Sequence, residues 1–220
     1  MQRSLERFIE VVRARSLESR FAPGATPDEL ARFRREIALP VPDEFLEFFG
    51  HFNGTARPVW NDALKEFDGE ECTLFDESTL RLLSLDFMLQ GKQDWDEYSR
   101  EYEDATAEQR SEWSRAHGFW NRAWIPFAEN DNEVLALATA PCFGGPANQV
   151  LWFSYKGCDS WIVLSQSFGD WILTAAESLL AGVNSDAIQR EHNPDWRYIE
   201  LAEGDASPSR FLPRGTLFPR

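Results

Sequence analysis

The sequence is poor in the residues that build disulfide frameworks and metal sites, with only 3 cysteines and 3 histidines among 220 residues. Cys72, Cys142 and Cys158 form no close-spaced pair, and no histidine lies at metal-ligand spacing from them. The pattern therefore predicts free thiols in a reducing compartment and no metal ion.

Long apolar runs are also missing. No segment approaches the roughly 20 apolar residues that span a bilayer, and the amphipathic N-terminus lacks the continuous apolar core of a signal peptide. We therefore expect a cytoplasmic protein. No repeat or linker interrupts the chain, so a single domain is expected over residues 1–205, with a loose C-terminal tail over 206–220.

Positive charge is scarce relative to negative charge. Asp and Glu outnumber Lys and Arg by 37 to 22, which gives a formal net charge of −15. Such a chain repels phosphate backbones and anionic lipid headgroups, so neither nucleic acid nor a membrane is an expected partner. A basic protein surface is the expected partner, and the alternative is that the charge only maintains solubility. We expect a monomer or a weak dimer.

Helix signals dominate the first part of the chain. Apolar residues at helical spacing from Leu5 to Val12 predict an amphipathic helix that ends before Pro23. Thr26 is suited to cap a second helix, and Glu29 stands where a capping box places its second hydrogen bond. A third helix is predicted on a face of four phenylalanines, which are Phe45, Phe48, Phe49 and Phe52.

Three weaker signals follow. Asn53-Gly54 is interpreted as a left-handed stop to the third helix, and a short helix is predicted around Leu80, Leu82 and Leu83. The highly acidic run from Gly91 to Glu112 keeps Trp95, Tyr98 and Tyr102 at helical spacing. This run is therefore predicted to be a helical insertion with one aromatic face, spanning about residues 88–118.

The second half of the chain has strand signals. Four short apolar runs, at 123–128, 133–138, 149–155 and 161–166, are separated by turn-rich segments too short for parallel crossovers. A closing helix is predicted from Ser167 to Gly182, and Ile199 lies in a further edge strand. The predicted fold class is α+β, with N-terminal helices packed on an antiparallel sheet of about four to six strands and a closing C-terminal helix.

Two stretches together resemble the SUKH superfamily, which groups fungal cell-wall-assembly regulators of the Smi/Knr type with bacterial toxin-immunity proteins. The first stretch combines the helix cap Pro23-Gly24-Ala25-Thr26, then Val41-Pro42 opening a helix, and Asn53-Gly54. The second combines the strand Ile125-Pro126-Phe127-Ala128, the pair Gln149-Val150 and the helix start Ser167-Phe168. The order and spacing match over roughly residues 21–182, while the acidic run is longer than the connection common in the family.

The resemblance implies an α+β domain with no cofactor and no catalytic chemistry. Bacterial members act by binding and neutralising a cognate toxin, and the eukaryotic branch acts in signalling through protein interactions. The function expected here is therefore that of an immunity protein that binds a basic toxin domain, a nuclease being one candidate. A regulatory or scaffold module of the Smi/Knr type, with no toxin partner, is the alternative.

Enzymatic interpretations rest on fewer residues. Glu129, Asp131 and Glu133 form an acidic turn that could pair carboxylates in a hydrolase, yet alternate acids on a turn are ordinary solvated turn formers. A Cys-His nucleophile would combine Cys142 or Cys158 with His51 or His117, and no nucleophile motif surrounds any of them. We therefore expect no enzyme activity.

The acidic run carries the strongest functional signal. Eight acids against three bases exceed what solubility requires, and aromatic side chains among them are typical of an interface anchor inside a charged rim. Trp95 and Tyr98 either pack inward or anchor the partner. The acidic turn at Glu129 and Asp131 is included in the predicted partner-binding set, which is Asp94, Trp95, Asp96, Glu97, Tyr98, Glu101, Glu103, Asp104, Glu129 and Asp131.

Overall fold

The computed structural model describes residues 2–57, 59–61, 66–68, 72–74, 80–106, 120–154, 160–182 and 197–200. Five α-helices lie within these residues: α1 (Gln2–Ala14), α2 (Pro27–Ile37), α3 (Asp43–His51), α4 (Leu85–Asp104) and α5 (Phe168–Ala181). The strands are β1 (Phe21–Pro23), β2 (Phe52–Thr55), β3 (Val59–Asn61), β4 (Glu66–Asp68), β5 (Arg81–Leu82), β6 (Trp124–Glu129), β7 (Glu133–Ala138), β8 (Gln149–Ser154), β9 (Ser160–Ser165) and β10 (Arg197–Glu200).

Helix α2 begins as the sequence predicts. The Thr26 hydroxyl accepts a hydrogen bond from the Glu29 backbone at 3.3 Å, and the Glu29 carboxylate accepts one from the Thr26 backbone at 2.7 Å. This reciprocal box satisfies two backbone donors that a helix start otherwise leaves unpaired. The chain then turns into α3, whose phenylalanines Phe45, Phe48 and Phe49 are fully buried.

The main sheet has six strands in the order β10-β9-β8-β7-β6-β5. Every neighbouring pair is antiparallel, and β6 to β9 form a meander in chain order. Two small two-stranded sheets, β1-β2 and β3-β4, lie outside it. The predicted α+β class and the predicted strand number are thus confirmed, as is the edge strand near Ile199.

Side chains alternate between the two faces of the sheet along each strand, and each face carries buried residues. Leu135, Leu137 and Leu164 point to a first face, which shares one apolar core with α1, α2, α3 and α5. Val134, Ala136 and Phe153 point to a second face, where Trp95, Trp120 and Trp124 form a separate core. Helix α4 covers this second face, where its Trp95 belongs to the core.

The closing helix α5 begins and ends where the sequence predicts. Ser167 caps it by accepting a hydrogen bond from the Asp170 backbone at 3.1 Å, and Gly182 ends it in the left-handed conformation at φ 66°. Trp171 and Phe168 are completely buried against Phe127, with ring centroids 4.9 and 5.5 Å away. Trp171 therefore lies in the core.

Two local predictions are wrong. Leu82 lies in strand β5 rather than in a helix, because its backbone pairs with Ala128, and α4 begins only at Leu85. Asn53-Gly54 does not stop α3, which ends at His51 with an extended Phe52. Gly54 has a positive φ of 100°, which favours glycine, and a Cβ there would also lie only 2.9 Å from the Ser84 nitrogen.

Candidate protein-binding surface

Helix α4 carries eight of the ten residues predicted to bind a partner. It starts on two side-chain caps: the Ser84 hydroxyl accepts from the Phe87 backbone at 3.4 Å, and the Asn53 amide oxygen accepts from the Leu85 backbone at 2.9 Å. The second contact joins α4 to β2. Asn53 therefore caps the start of α4, whereas the sequence predicted that it ends α3.

One side of α4 is buried against the second face of the sheet. The Trp95 ring stacks on Trp120 with centroids 5.3 Å apart and meets the edge of Phe153 at 5.1 Å. Trp95 is only 7% exposed. Of the two alternatives for this residue, inward packing is the one observed, and Trp95 anchors α4 on the sheet.

The side chain of Asp96 also points inward, toward Trp120. Its carboxylate accepts hydrogen bonds from the indole Nε1 of Trp120 at 2.9 Å and from the ammonium of Lys92. Lys92 is itself buried at 8% exposure, which is unusual for lysine and requires a partner. Asp96 is therefore occupied in neutralising Lys92 and orienting Trp120.

The opposite side of α4 faces solvent. We call this set the α4 outer face: Phe87, Asp94, Glu97, Tyr98, Glu101 and Asp104. Glu97, Glu101 and Asp104 are exposed, Asp94 is half-buried, and Tyr98 is 45% exposed. The Tyr98 ring packs edge-on against Trp95 at 6.1 Å, so an exposed aromatic ring is held at the centre of a row of carboxylates.

The charges of α4 are placed against the preferences of an isolated helix. Seven acids and two bases give the helix a net charge of −5, one third of the total of −15, on 20 residues. Its last turn contains no base, although the negative end of the helix dipole disfavours acids there by about 0.3–1 kcal/mol each. Glu97 and Glu101 are like charges at i,i+4, which repel.

Little compensates these charges in the part of the chain that the structure describes. Glu103 pairs with Arg122 at 3.5 Å, and Asp94 accepts a hydrogen bond from Gln90 at 2.7 Å. No ion pair reaches Glu97, Glu101 or Asp104 among those residues.

Glu129 and Asp131 belong to the tight β6-β7 turn. The Asn130 side chain accepts hydrogen bonds from the backbones of Asn132 at 2.7 Å and Glu133 at 2.8 Å. Asp131 is 90% exposed, while the Glu129 carboxyl is half-buried. Burial raises the pKa of Glu129 above its ordinary value, and the positive charges of Arg81 and Arg57 oppose that shift.

The structure brings part of the predicted set together. Asp94 acts electrostatically on Glu129, so the β6-β7 turn lies beside the first half of α4. Phe87 completes this end of the surface; it is 48% exposed, and the Arg57 guanidinium stands 4.0 Å over its ring. Sequence reasoning missed Phe87 and Arg57, because neither lies in the acidic run and only helical phase places Phe87 on the same side as Tyr98.

Of the four residues considered for a Cys-His nucleophile, Cys142 and His51 lie among the described residues. Cys142 is 2% exposed, and burial raises the pKa of its thiol to about 12, which opposes thiolate formation. Its Sγ donates to Gln149 at 3.4 Å. His51 lies at the end of α3 on the other side of the sheet, whereas Cys158 and His117 lie outside the described residues.

Over the described ranges, no three His, Cys, Asp or Glu side chains gather closely enough to hold a metal ion. Within the same ranges, no helix combines the length and the apolar content required to cross a membrane.

Comparison with known proteins supports the resemblance seen in the sequence. The model of the SMI1 / KNR4 family (SUKH-1) matches residues 24–174, from the cap of α2 into α5 and through α4. None of the curated proteins compared with the sequence matches it. Since the family match spans more than half of the 220 residues and the observed α+β fold agrees with it, the chain belongs to the SMI1 / KNR4 family (SUKH-1).

Proposed function

We propose that this protein is a non-catalytic binding module, an immunity protein that neutralises a cognate toxin in the cytoplasm by direct contact. The observation that supports this most is the α4 outer face, where Glu97, Glu101 and Asp104, which form no ion pair within the described ranges, lie beside the exposed ring of Tyr98. Family membership favours protein binding over catalysis, and the bacterial members that the sequence resembles are immunity proteins.

The expected partner surface is basic. Complementary charge accelerates encounter and discriminates against wrong partners, while an aromatic group at the centre supplies affinity once water is excluded. Glu129 and Asp131 extend the acidic area beyond α4 on the side of Asp94. In this proposal the acidic segment at about residues 88–118 is an insertion that adapts a common scaffold to one partner.

Charge reversal tests the surface directly. In one variant Glu97, Glu101 and Asp104 are changed to lysine. In the matched control Glu6, Glu36 and Glu47, exposed acids on α1, α2 and α3, are changed in the same way, so both variants gain the same charge. The protein captured from the source cell by the wild type should bind the control with similar affinity.

The α4 variant should bind that protein at least tenfold more weakly, and its affinity should depend less on salt, because fewer ions are released on binding. Titration calorimetry over a series of salt concentrations measures both effects. Equal affinity of the two variants for the captured protein would exclude the α4 outer face as the interface.

A regulatory module without a toxin is the second candidate, and the matched family, SMI1 / KNR4, favours it. The captured protein separates the two functions. A toxin partner should arrest growth when it is produced alone, and co-production of this chain should restore growth. If the captured protein is harmless alone, the regulatory function replaces the immunity function while the binding surface stands.

A further inference from the structure

The closing helix α5 exposes apolar side chains on its outer side. Leu173 is 38% exposed and Leu180 is 45% exposed, so these are two of the four large apolar side chains that are exposed among the described residues. They alternate with two exposed carboxylates at spacings of three, four and three residues, which places all four on one side of the helix. We call this set the α5 outer face: Asp170, Leu173, Glu177 and Leu180. Its leucines would gain free energy from an apolar cover.

The acids of the α5 outer face are only partly compensated. Helix α5 contains two acids and neither Lys nor Arg. Helix α1, which packs beside it, contains three arginines and two glutamates, and its Arg7 pairs with Glu177 at 3.1 Å. Arg15, just after α1, donates a hydrogen bond to the Leu179 carbonyl. The Glu177 side chain is still 50% exposed, so the cover that suits this face is basic as well as apolar.

A segment of this chain has that composition. Residues 206–220, expected to be a loose tail, lie outside the described residues. Their sequence contains three arginines and no acid, although the whole chain has a net charge of −15. Two apolar residues followed by Pro-Arg occur twice in it, as Phe211-Leu212-Pro213-Arg214 and as Leu217-Phe218-Pro219-Arg220. The order apolar, basic, apolar in the segment thus corresponds to the order apolar, acidic, apolar on the helix.

The segment is long enough to reach the α5 outer face. Strand β10 is antiparallel to β9, and its last residue, Glu200, lies opposite Ser160 at the start of β9. Only two residues join β9 to α5, so α5 runs back along the sheet and Leu180, in its last turn, lies toward the same end as Ser160. Phe211 follows Glu200 by 11 positions, which span up to about 36 Å, whereas the whole of α5 is about 21 Å long.

We propose that residues 206–220 bind to the α5 outer face of the same molecule. The two apolar pairs of the segment cover Leu180 and Leu173, and Arg214, between those pairs, is placed near Glu177. This contact goes beyond the proposed function and does not depend on it, because α5 covers the first face of the sheet and α4 covers the second. The family match ends at residue 174, so the segment and the last two turns of α5 lie outside the matched region.

Limited digestion of the full-length protein with trypsin tests the contact. The measured quantity is the rate of cleavage after Arg210, followed by mass spectrometry and divided by the rate for a free peptide of the same sequence. Cleavage follows the population of the unbound segment, so the wild type should be cut at least about tenfold more slowly than the peptide. Leu173→Ser combined with Leu180→Ser should restore the peptide rate. Phe87→Ser, at an exposed residue of α4, is the matched control and should leave the protection unchanged.

A charge exchange tests the placement of Arg214. Glu177→Arg should speed cleavage after Arg210 about two- to fivefold, because an attraction to Arg214 is replaced by a repulsion. Glu177→Arg combined with Arg214→Glu should slow the cleavage again, relative to a peptide that carries the same change. If the combined variant is cut as fast as Glu177→Arg alone, the placement of Arg214 near Glu177 is wrong.

The cleavage rates decide between the possible occupants of this face. Slow cleavage that is independent of protein concentration and is lost in the leucine variant supports the proposal. Cleavage of the wild type at the peptide rate overturns it, and so does protection that survives both leucine changes. Protection that increases with protein concentration also overturns it, because the segment then binds to a second copy of the chain. Binding of a partner through α4 is measured separately, so none of these results bears on the proposed function.

Discussion

Replacement of Asp96 by alanine should destabilise the fold strongly, although Asp96 lies in the acidic run that sequence reasoning assigned to a partner. The change removes the acceptor of the Trp120 Nε1 hydrogen bond at 2.9 Å and the counter-charge of Lys92, which is 8% exposed. An orphaned buried donor costs about 1–3 kcal/mol, and breaking a buried ion pair costs about 3–5 kcal/mol. Both effects come from one carboxylate, so we expect a loss of about 3–5 kcal/mol.

Urea unfolding followed by tryptophan fluorescence measures this loss. The total free energy of unfolding of a domain is about 5–15 kcal/mol, so Asp96→Ala should remove about a fifth of it or more. Glu97→Ala is the matched control, because Glu97 follows Asp96 directly in the chain and its side chain is exposed. This change should alter the free energy of unfolding by less than about 0.5 kcal/mol. A further variant, Asp96→Leu with Lys92→Met, removes both charges and should recover the part of the loss that comes from the unpaired Lys92, while the cost of the unpaired Trp120 donor remains.

Equal stabilities of Asp96→Ala and Glu97→Ala would refute this account of the second core. Asp96→Ala, compared with Glu97→Lys, is also a control for the binding experiments. If Asp96→Ala weakens capture of a partner while Glu97→Lys does not, the effect arises from a disturbed helix rather than from a lost contact.

Two further predictions concern backbone contact and pH. Gly24→Ala should destabilise the fold by at least about 2 kcal/mol, because the new Cβ would lie 2.0 Å from the Gly50 carbonyl oxygen. Gly50→Ala is the control; its Cβ would contact only Leu30, at 3.6 Å, so this change should be neutral or stabilising. Urea unfolding measures both effects. Burial raises the pKa of Glu129 in the folded protein above its ordinary value of 4.5, so the free energy of unfolding falls as the pH rises from 4.5 through the folded pKa. Glu129→Gln removes the ionisable group and should therefore stabilise the protein near neutral pH. The advantage of glutamine should disappear below about pH 4, and an equal advantage at both pH values would contradict the burial argument.

Local interactions explain most of what the sequence predicted correctly. The capping box at Thr26 and Glu29 and the cap at Ser167 depend on residues within one helical turn, so the pattern alone locates those helix starts. The strands at β6 to β9 were predicted from apolar runs between turn residues. The family resemblance rests on the same local signals, and the match over residues 24–174 confirms it.

Contacts between distant residues explain the failures. The helix predicted around Leu82 is a strand because Leu82 pairs with Ala128, and no local pattern encodes that pairing. Asn53 was assigned to a helix stop, while its side chain caps α4 at Leu85. In both cases a tertiary hydrogen bond overrides a weak local preference.

The candidate binding surface also depends partly on local sequence and partly on tertiary contacts. By itself, the sequence determined that the acidic run is rich in carboxylates and aromatic residues at helical spacing, since composition and period need no tertiary contact. Only the tertiary structure decided which of them face a partner: burial against Trp120 and Phe153 took Trp95 and Asp96 inward. What remains outside, around Tyr98, follows from how α4 docks on the sheet, because that docking fixes the rotation of the helix about its axis.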